Sequence, residues 1–273
     1  MFSLSRSLSH LTTTPLFLII VEEIKITIKT NKFKLLVLIL IIPVIIQLLS
    51  REEIVSQGSD ICLEKFQEIT GSWILNFWTA WAVQIVIILL SSEFIAGEYE
   101  QDTLRILLTK PIKRSEILLG KYFGFLLYIF GVFSIALISL ALILVWEYGG
   151  DVDTFLKICQ QFLLPGLLVL ICGVLLTSSL TTIFSATFRR SLFASLTSLF
   201  LFFGHMFIGP ILFGSESHFT LQYQLGILLE NYYQLSPTEN VYLGDPLTAF
   251  SGLIGLSLLF LTIALLAFYR RDI

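Results

Sequence analysis

Residues 93–121 read EFIAGEYEQDTLRILLTKPIKRSEILLGK. The passage lies between two hydrophobic runs and balances Glu93, Glu98, Glu100, Asp102 and Glu116 against Arg105, Lys110, Lys113, Arg114 and Lys121. Its centre, 103–109 (TLRILLT), has the composition of a short amphipathic helix, with Leu104, Ile106, Leu107 and Leu108 apolar and Arg105 among them. Pro111 ends that helix, because proline has no N–H and clashes with the preceding turn. Ser115 is then expected as the N-cap of the next helix, with Glu116 in its first turn.

The runs on either side decide the solvent. Of 273 residues, 56% are hydrophobic and only 14% charged, and the mean hydropathy is +0.88. A soluble domain cannot hide that much apolar surface, so the chain is read as an all-α integral membrane protein. Helices are required because lipid offers the backbone no hydrogen-bond partner. Six spans are expected, at about 35–49, 73–92, 117–146, 162–187, 191–213 and 247–269. Ahead of them, 17–34 is amphipathic: Ile20, Ile24 and Ile28 share one helical face, and Lys25, Lys29 and Lys32 another. The alternation in 24–29 also fits a strand, but a lone strand at an interface has no partner, so a helix lying in the interface is preferred. Residues 1–16, rich in Ser and Thr, read as a disordered tail.

Orientation follows from lysine and arginine. With the N-terminus inside, the cytoplasmic segments hold 14 of the 17 basic residues, leaving Arg51, Lys65 and Lys157 outside. Both termini are therefore expected in the cytoplasm of a multi-pass protein of the cell membrane. Trp73, Trp78, Trp146 and Tyr148 suit an outer aromatic belt, Tyr122 and Tyr269 an inner one. The outer connections are 50–72, 147–161 and 214–246. The last carries Leu221, Leu225, Leu228 and Leu229 at helical spacing and reads as an interfacial or re-entrant helix. No internal repeat is evident, so one membrane domain is taken to cover 1–273.

The ordered pattern in 93–121 is acidic–x4–Glu–x4–Thr-Leu, a Leu-Leu pair, Pro-Ile-x-Arg, then Gly-Lys at the mouth of a membrane helix. It resembles the cytoplasmic loop after the second helix of type 2 ABC transporter permeases, most of all the small six-helix permeases such as the one serving nitrous oxide reductase maturation. Glu93, Gly97, Glu98, Thr103, Leu104, Leu107, Leu108, Pro111, Arg114, Gly120 and Lys121 carry the likeness. The family usually has glycine just before the threonine, where this chain has Asp102. The C-terminal 269–273 also resembles the end of the family's chains. The resemblance implies an N-terminal elbow helix and a cytoplasmic coupling helix that rests in a groove of a separate ATP-binding subunit. It also implies a second permease copy or paralogue, membrane lipids around the spans, and ATP with Mg acting through the partner ATPase. On this reading the ATPase-coupling residues are Glu93, Glu98, Thr103, Leu104, Leu107, Leu108, Pro111 and Arg114.

The residues that could carry chemistry each have a plainer reading. Lys121 follows Gly120, but the Gly-x4-Gly-Lys-Ser/Thr phosphate loop is absent, so no cofactor is expected on this chain and Lys121 reads as a snorkelling anchor. Gly120 and Gly124 form a small-xxx-small pair suited to close helix packing. His205, an ionisable residue inside the fifth span, marks function by default. No second His, Cys or carboxylate stands near it in sequence, so a neutral, hydrogen-bonded histidine is the simpler account. Thr177, Ser178, Thr181 and Thr182, with Ser179 and Ser185, make the inner half of the fourth span polar. They either satisfy themselves on preceding carbonyls or wall a central pathway, so Thr177, Ser178, Thr181, Thr182 and His205 stand as candidate pathway-lining residues. Gln47, Asn76 and Gln84 read as helix–helix contacts. Cys62, Cys159 and Cys172 lack paired spacing; three unrelated thiols is the simpler reading, a Cys62–Cys159 bond the alternative.

The chain thus reads as the permease subunit of an ABC exporter, a transporter subunit and not an enzyme, with no feature pointing to nucleic acid. Two other classes stay open. A non-transporting membrane anchor that recruits an ATPase would need the same loop. An integral-membrane lipid enzyme would need clustered carboxylates or histidines at a membrane face; Glu93, Glu98 and Asp102 lack the Asp/Arg/His company such a site requires. Spanning helices without pathway-facing charges favour an amphipathic or lipid-like cargo over a small ion.

Overall fold

The amphipathic stretch near the N-terminus is a helix. The computed structural model describes residues 15–49, 59–79, 81–103, 112–213, 220–233 and 244–271, and among these no strand occurs. Helix α1 (Pro15–Lys29) ends at Thr30, whose hydroxyl donates to the Thr27 carbonyl at 2.8 Å and accepts the Phe33 N–H at 3.3 Å. Thr30 thus closes α1 and caps α2 (Asn31–Leu49). The expected tail and the coupling residues Leu104, Leu107, Leu108 and Pro111 lie outside the described residues.

Five helices are long and apolar enough to cross a bilayer: Asn31–Leu49, Arg114–Glu147, Val152–Thr187, Ser191–Gly209 and Pro246–Arg270. The expected straight helix at 73–92 is replaced by a candidate sixth span. It is a bent pair, Ile61–Trp78 and Ala82–Ser91, meeting at 49°. Its first arm, α3 (Ser59–Trp73), occupies what was read as a polar outer loop. Cys62, Phe66 and Thr70 recur every fourth residue along it and are fully buried, a stripe masked in the sequence by Glu64, Lys65, Gln67 and Glu68. A π-turn (Ile74–Trp78) follows at the bend, and the Thr79 N–H and hydroxyl both reach the Ile74 carbonyl, at 3.0 and 2.9 Å. The second arm is α4 (Ala82–Ser91), followed by α5 (Glu93–Glu100).

Helix α6 (Arg114–Glu147) is the longest crossing. Its N-cap is Lys113 and not Ser115: the Glu116 carboxylate accepts the Lys113 N–H at 3.2 Å, which leaves Ser115 inside the first turn. Helix α7 (Val152–Ile158) runs through a second π-turn (Cys159–Leu163) into α8 (Leu164–Thr187), so the fourth span starts earlier than its hydropathy suggests. Helices α9 (Ser191–Phe213) and α11 (Pro246–Arg270) follow their expected bounds. Between them α10 (Leu221–Tyr233) buries Leu221, Leu225, Leu228 and Leu229 within the protein, and Leu225 reaches Gly173 of α8.

Two expected belt residues belong to the core. Trp78 is fully buried edge-on to Phe133, and Tyr122 is buried with its hydroxyl donating to the Leu175 carbonyl at 3.1 Å. Trp146 and Tyr269 are exposed, as a belt requires. All three cysteines are free thiols, with Cys62 and Cys172 buried.

Following the spans end to end brings α5, the starts of α2, α6 and α9, and the ends of α8 and α11 to one face. Lys32, Arg114, Lys121, Arg189, Arg190, Arg270 and Arg271 all lie at this basic end of the bundle.

Candidate functional site at the basic face

Helix α5 is too short to stand alone, and its first backbone N–H groups have no acceptor within the helix. Helix α8 supplies one. The buried Ser185 hydroxyl accepts from the Ile95 and Ala96 N–H groups at 3.0 and 3.2 Å and donates to the Ser92 carbonyl at 2.8 Å. Beneath it, Phe94 packs edge-on to Phe125 of α6 with ring centres 5.2 Å apart. At the other end Asp102 adopts φ 55°, the left-handed region, and turns the chain out of α5.

A buried ion triad sits at the centre of the site. Lys121 Nζ lies 2.9 Å from Glu23 Oε2 of α1 and 2.8 Å from Glu98 Oε1 of α5, and the three side chains are 8%, 11% and 17% exposed. The Thr103 hydroxyl donates to the other Glu98 oxygen. Burial pushes the Glu98 carboxyl up, but the Lys121 charge and the hydrogen bonds from Lys121 and Thr103 outweigh it and hold the group below its ordinary value. An ammonium shared by two carboxylates at this depth has its charge compensated and two of its three donors engaged; removing it alone would strand two buried charges at a cost of about 3–5 kcal/mol. Lys121 is therefore a buried strut and not a snorkelling anchor.

Three further contacts frame the junction. Lys32 at the start of α2 pairs with Glu93 at 2.5 Å. Glu100 caps α9, accepting from the Ser191 N–H at 3.0 Å and hydroxyl at 2.8 Å. Arg114 donates to the carbonyls of Phe268, Tyr269 and Arg271 at 3.4, 3.1 and 2.9 Å, satisfying the end of α11, and Arg271 donates to the Ala186 carbonyl at 2.8 Å while lying 3.9 Å over the Tyr99 ring. A pocket of about 380 Å³ opens beside the triad, with Glu23, Thr27, Glu93, Gln101, Thr103 and Lys121 over a floor of Leu90, Phe94 and Phe125.

The stretch 104–111 thus leaves one anchored element and enters another. The α5 end is tied to α1, α6 and α8, and the α6 end to the close of α11. A family model described as an ABC-2 family transporter protein matches residues 17–273. The chain belongs to the ABC-2 transporter family. No match to a curated protein was found.

This ABC-2 protein is a multi-pass membrane protein of a transporter family. Of the sequence-predicted coupling residues, the structure brings Glu98 and Thr103 together, places Glu93 on Lys32, and sets Arg114 apart on the C-terminal carbonyls. Thr177, Ser178, Thr181 and Thr182 are all buried among the helices. Thr177 donates to Gln84 at 2.8 Å, and the other three donate to carbonyls one turn back at 2.6–2.8 Å. His205 stands apart from them; its Nε2 accepts the Leu221 N–H at 3.3 Å and so meets the first turn of α10. Among the described residues no group of His, Cys, Asp or Glu is arranged to hold a metal ion. Sequence reasoning missed Glu23 and Arg271. Glu23 carried a usable signal: a carboxylate one turn from Thr27 on the buried face of an apolar helix needs a cation.

Proposed function

We propose that the chain is the membrane-spanning permease subunit of an ABC exporter, driven by a separate ATP-binding subunit that docks on residues 104–111. The observation that carries the reading is the bracing of both ends of that stretch. A push on it from outside the bilayer is delivered at one end to α1, α6 and α8 and at the other to α11. An amphipathic segment hung between two stiff anchors suits mechanical transmission, whereas a solvated connector needs neither anchor. Leu104, Leu107 and Leu108 supply apolar docking area, and Arg105 and Lys110 the rim charge that sets register. ATP and Mg act through the partner, and a second permease copy or a paralogue completes the transporter. The basic face is cytoplasmic on the lysine and arginine distribution, with both termini on that side of the cell membrane. The cargo is amphipathic or lipid-like, in keeping with spanning helices whose charged residues stand at or near their ends.

The test is co-purification of the full chain with its ATP-binding subunit, alongside ATP turnover with and without cargo lipid. The Leu107→Ser, Leu108→Ser double variant removes two side chains worth roughly 1.5–3 kcal/mol each when fully buried. Halving this for partial burial still weakens the complex about tenfold, with the permease's own stability unchanged. An undiminished complex would make 104–111 a plain connector. ATP turnover by the isolated chain would exclude the subunit reading, and turnover indifferent to every cargo would favour a non-transporting anchor.

A further inference from the structure

Lys121 is flanked by the two glycines on which α1 rests. A Cβ built on Gly120 would meet Ile19 Cγ2 at 2.7 Å and Cβ at 2.9 Å, and one on Gly124 would meet the Ile20 carbonyl oxygen at 3.0 Å. Helix α1 therefore lies against the bare backbone of α6, and the Lys121 ammonium crosses that seam to Glu23 while holding Glu98 on its other side. Glu98 is five residues from Thr103, where the proposed docking stretch begins, and Thr103 donates to it. The chain of contacts runs from Thr103 through Glu98 and Lys121 to Glu23, with no exposed link. The three elements share no covalent reason to move together: Glu23 and Lys121 are 98 positions apart in sequence.

We infer that Lys121 is the positioning residue that makes the N-terminal helix α1 part of the moving unit, so that displacement of 104–111 carries α5, the start of α6 and α1 as one body. This rests on the permease reading above and adds a member to it. Helix α1 becomes a driven lever with a defined attachment point, where the alternative is a float that only marks the interface. Glu98 likewise acts within the chain, through Lys121, and the ATP-binding subunit need not touch it.

The experiment uses the full chain in complex with its ATP-binding subunit in lipid nanodiscs. Cysteines replace the exposed Lys29 at the end of α1 and the exposed Val152 of α7 at the opposite end of the bundle, with Cys159→Ser, since Cys62 and Cys172 are buried. Spin labels at the two sites report the distance between α1 and that far end, whose elements are outside the proposed moving body. Addition of a non-hydrolysable ATP analogue is expected to shift that distance. The neutral near-isosteric variant Glu23→Gln/Glu98→Gln/Lys121→Met is expected to co-purify with the ATP-binding subunit as well as the parent does, to lose the shift, and to lose ATP turnover by about tenfold, within the usual range of coupling energies. Lys121→Arg, which keeps the charge and both partners, is expected to retain the shift. A purely structural role would leave the shift in place in any variant that folds. A parent complex whose label distance ignores nucleotide overturns the inference whatever the variants do, as does a neutral variant with unchanged turnover. If the parent complex neither assembles nor turns over ATP, the permease reading itself has failed, which is a separate result.

Discussion

Substituting Gly120 tests the seat of α1 with an internal control on the same helix. Carbon atoms pack best about 3.5–4.0 Å apart, and an alanine Cβ at 120 would start 2.7 Å from Ile19 Cγ2 and 2.9 Å from its Cβ. The second atom is no flexible tip, so α1 must retreat by roughly 1 Å to restore normal contact. That retreat stretches the Lys121–Glu23 hydrogen bond, now 2.9 Å, beyond useful range. Overpacking costs about 1–3 kcal/mol, and weakening the charged hydrogen bond adds about 1 kcal/mol or more. Gly131→Ala, three turns further along α6, meets nothing within 4 Å and should gain about 0.5–1 kcal/mol from reduced backbone entropy. The two substitutions are chemically identical and are expected to have opposite signs. The buried thiols Cys62 and Cys172 provide the assay: a thiol-reactive fluorophore reads the unfolding midpoint as they become accessible. A Gly120→Ala midpoint that rises with that of Gly131→Ala would show that α1 does not rest on α6, and the triad would lose its footing.

Three further outcomes are expected. Asp102→Gly relieves a left-handed residue worth about 1–2 kcal/mol against an entropic loss of about 0.5–1 kcal/mol, so the thiol melt should be unchanged or slightly raised, while Asp102→Val should lower it. In a Cys159→Ser background, a membrane-impermeant maleimide applied to cells should label Val152→Cys and miss Ser115→Cys, both exposed positions; the reverse pattern would invert the proposed orientation. Because the Glu98 carboxyl is held below its ordinary 4.5, the stability it contributes is present above that value and is lost as pH falls through the depressed one. Melts from pH 6 down to about 3 should show an acid limb that shrinks in Glu98→Gln.

The spans were legible where hydropathy alone decides. Helices α2, α9 and α11 carry almost unbroken apolar runs, and the bounds read from the sequence sit close to those observed. The second span was not legible, because α3 carries its buried stripe under charged neighbours and its bend falls at a π-turn, Ile74–Trp78, which hydropathy does not register. Trp78 was misplaced for a related reason. A tryptophan near the end of a hydrophobic run suits a belt, and only the bend turns it inward against Phe133. In the sequence Asp102 stands only as a departure from the loop pattern, and its left-handed φ of 55°, which an aspartate side chain tolerates, is visible in the backbone alone.

The junction was half legible for one physical reason. Periodicity reports which face of a helix is apolar, but it does not say which charges meet across helices. Lys121 stands at the mouth of a span, where snorkelling is the ordinary expectation, and only the arrival of α1 over Gly120 and Gly124 removes it from water. Once α1 covers it, the ammonium needs compensation, and Glu23 and Glu98 are the carboxylates within reach. The two glycines and the lysine therefore have to be read together. Without the glycines α1 could not approach closely enough to bury Lys121, and without Lys121 the approach would bury Glu23 and Glu98 against each other. The Gly-Lys at the mouth of α6, which resembled the tail of a loop motif, is better understood as the seat and the pin of α1.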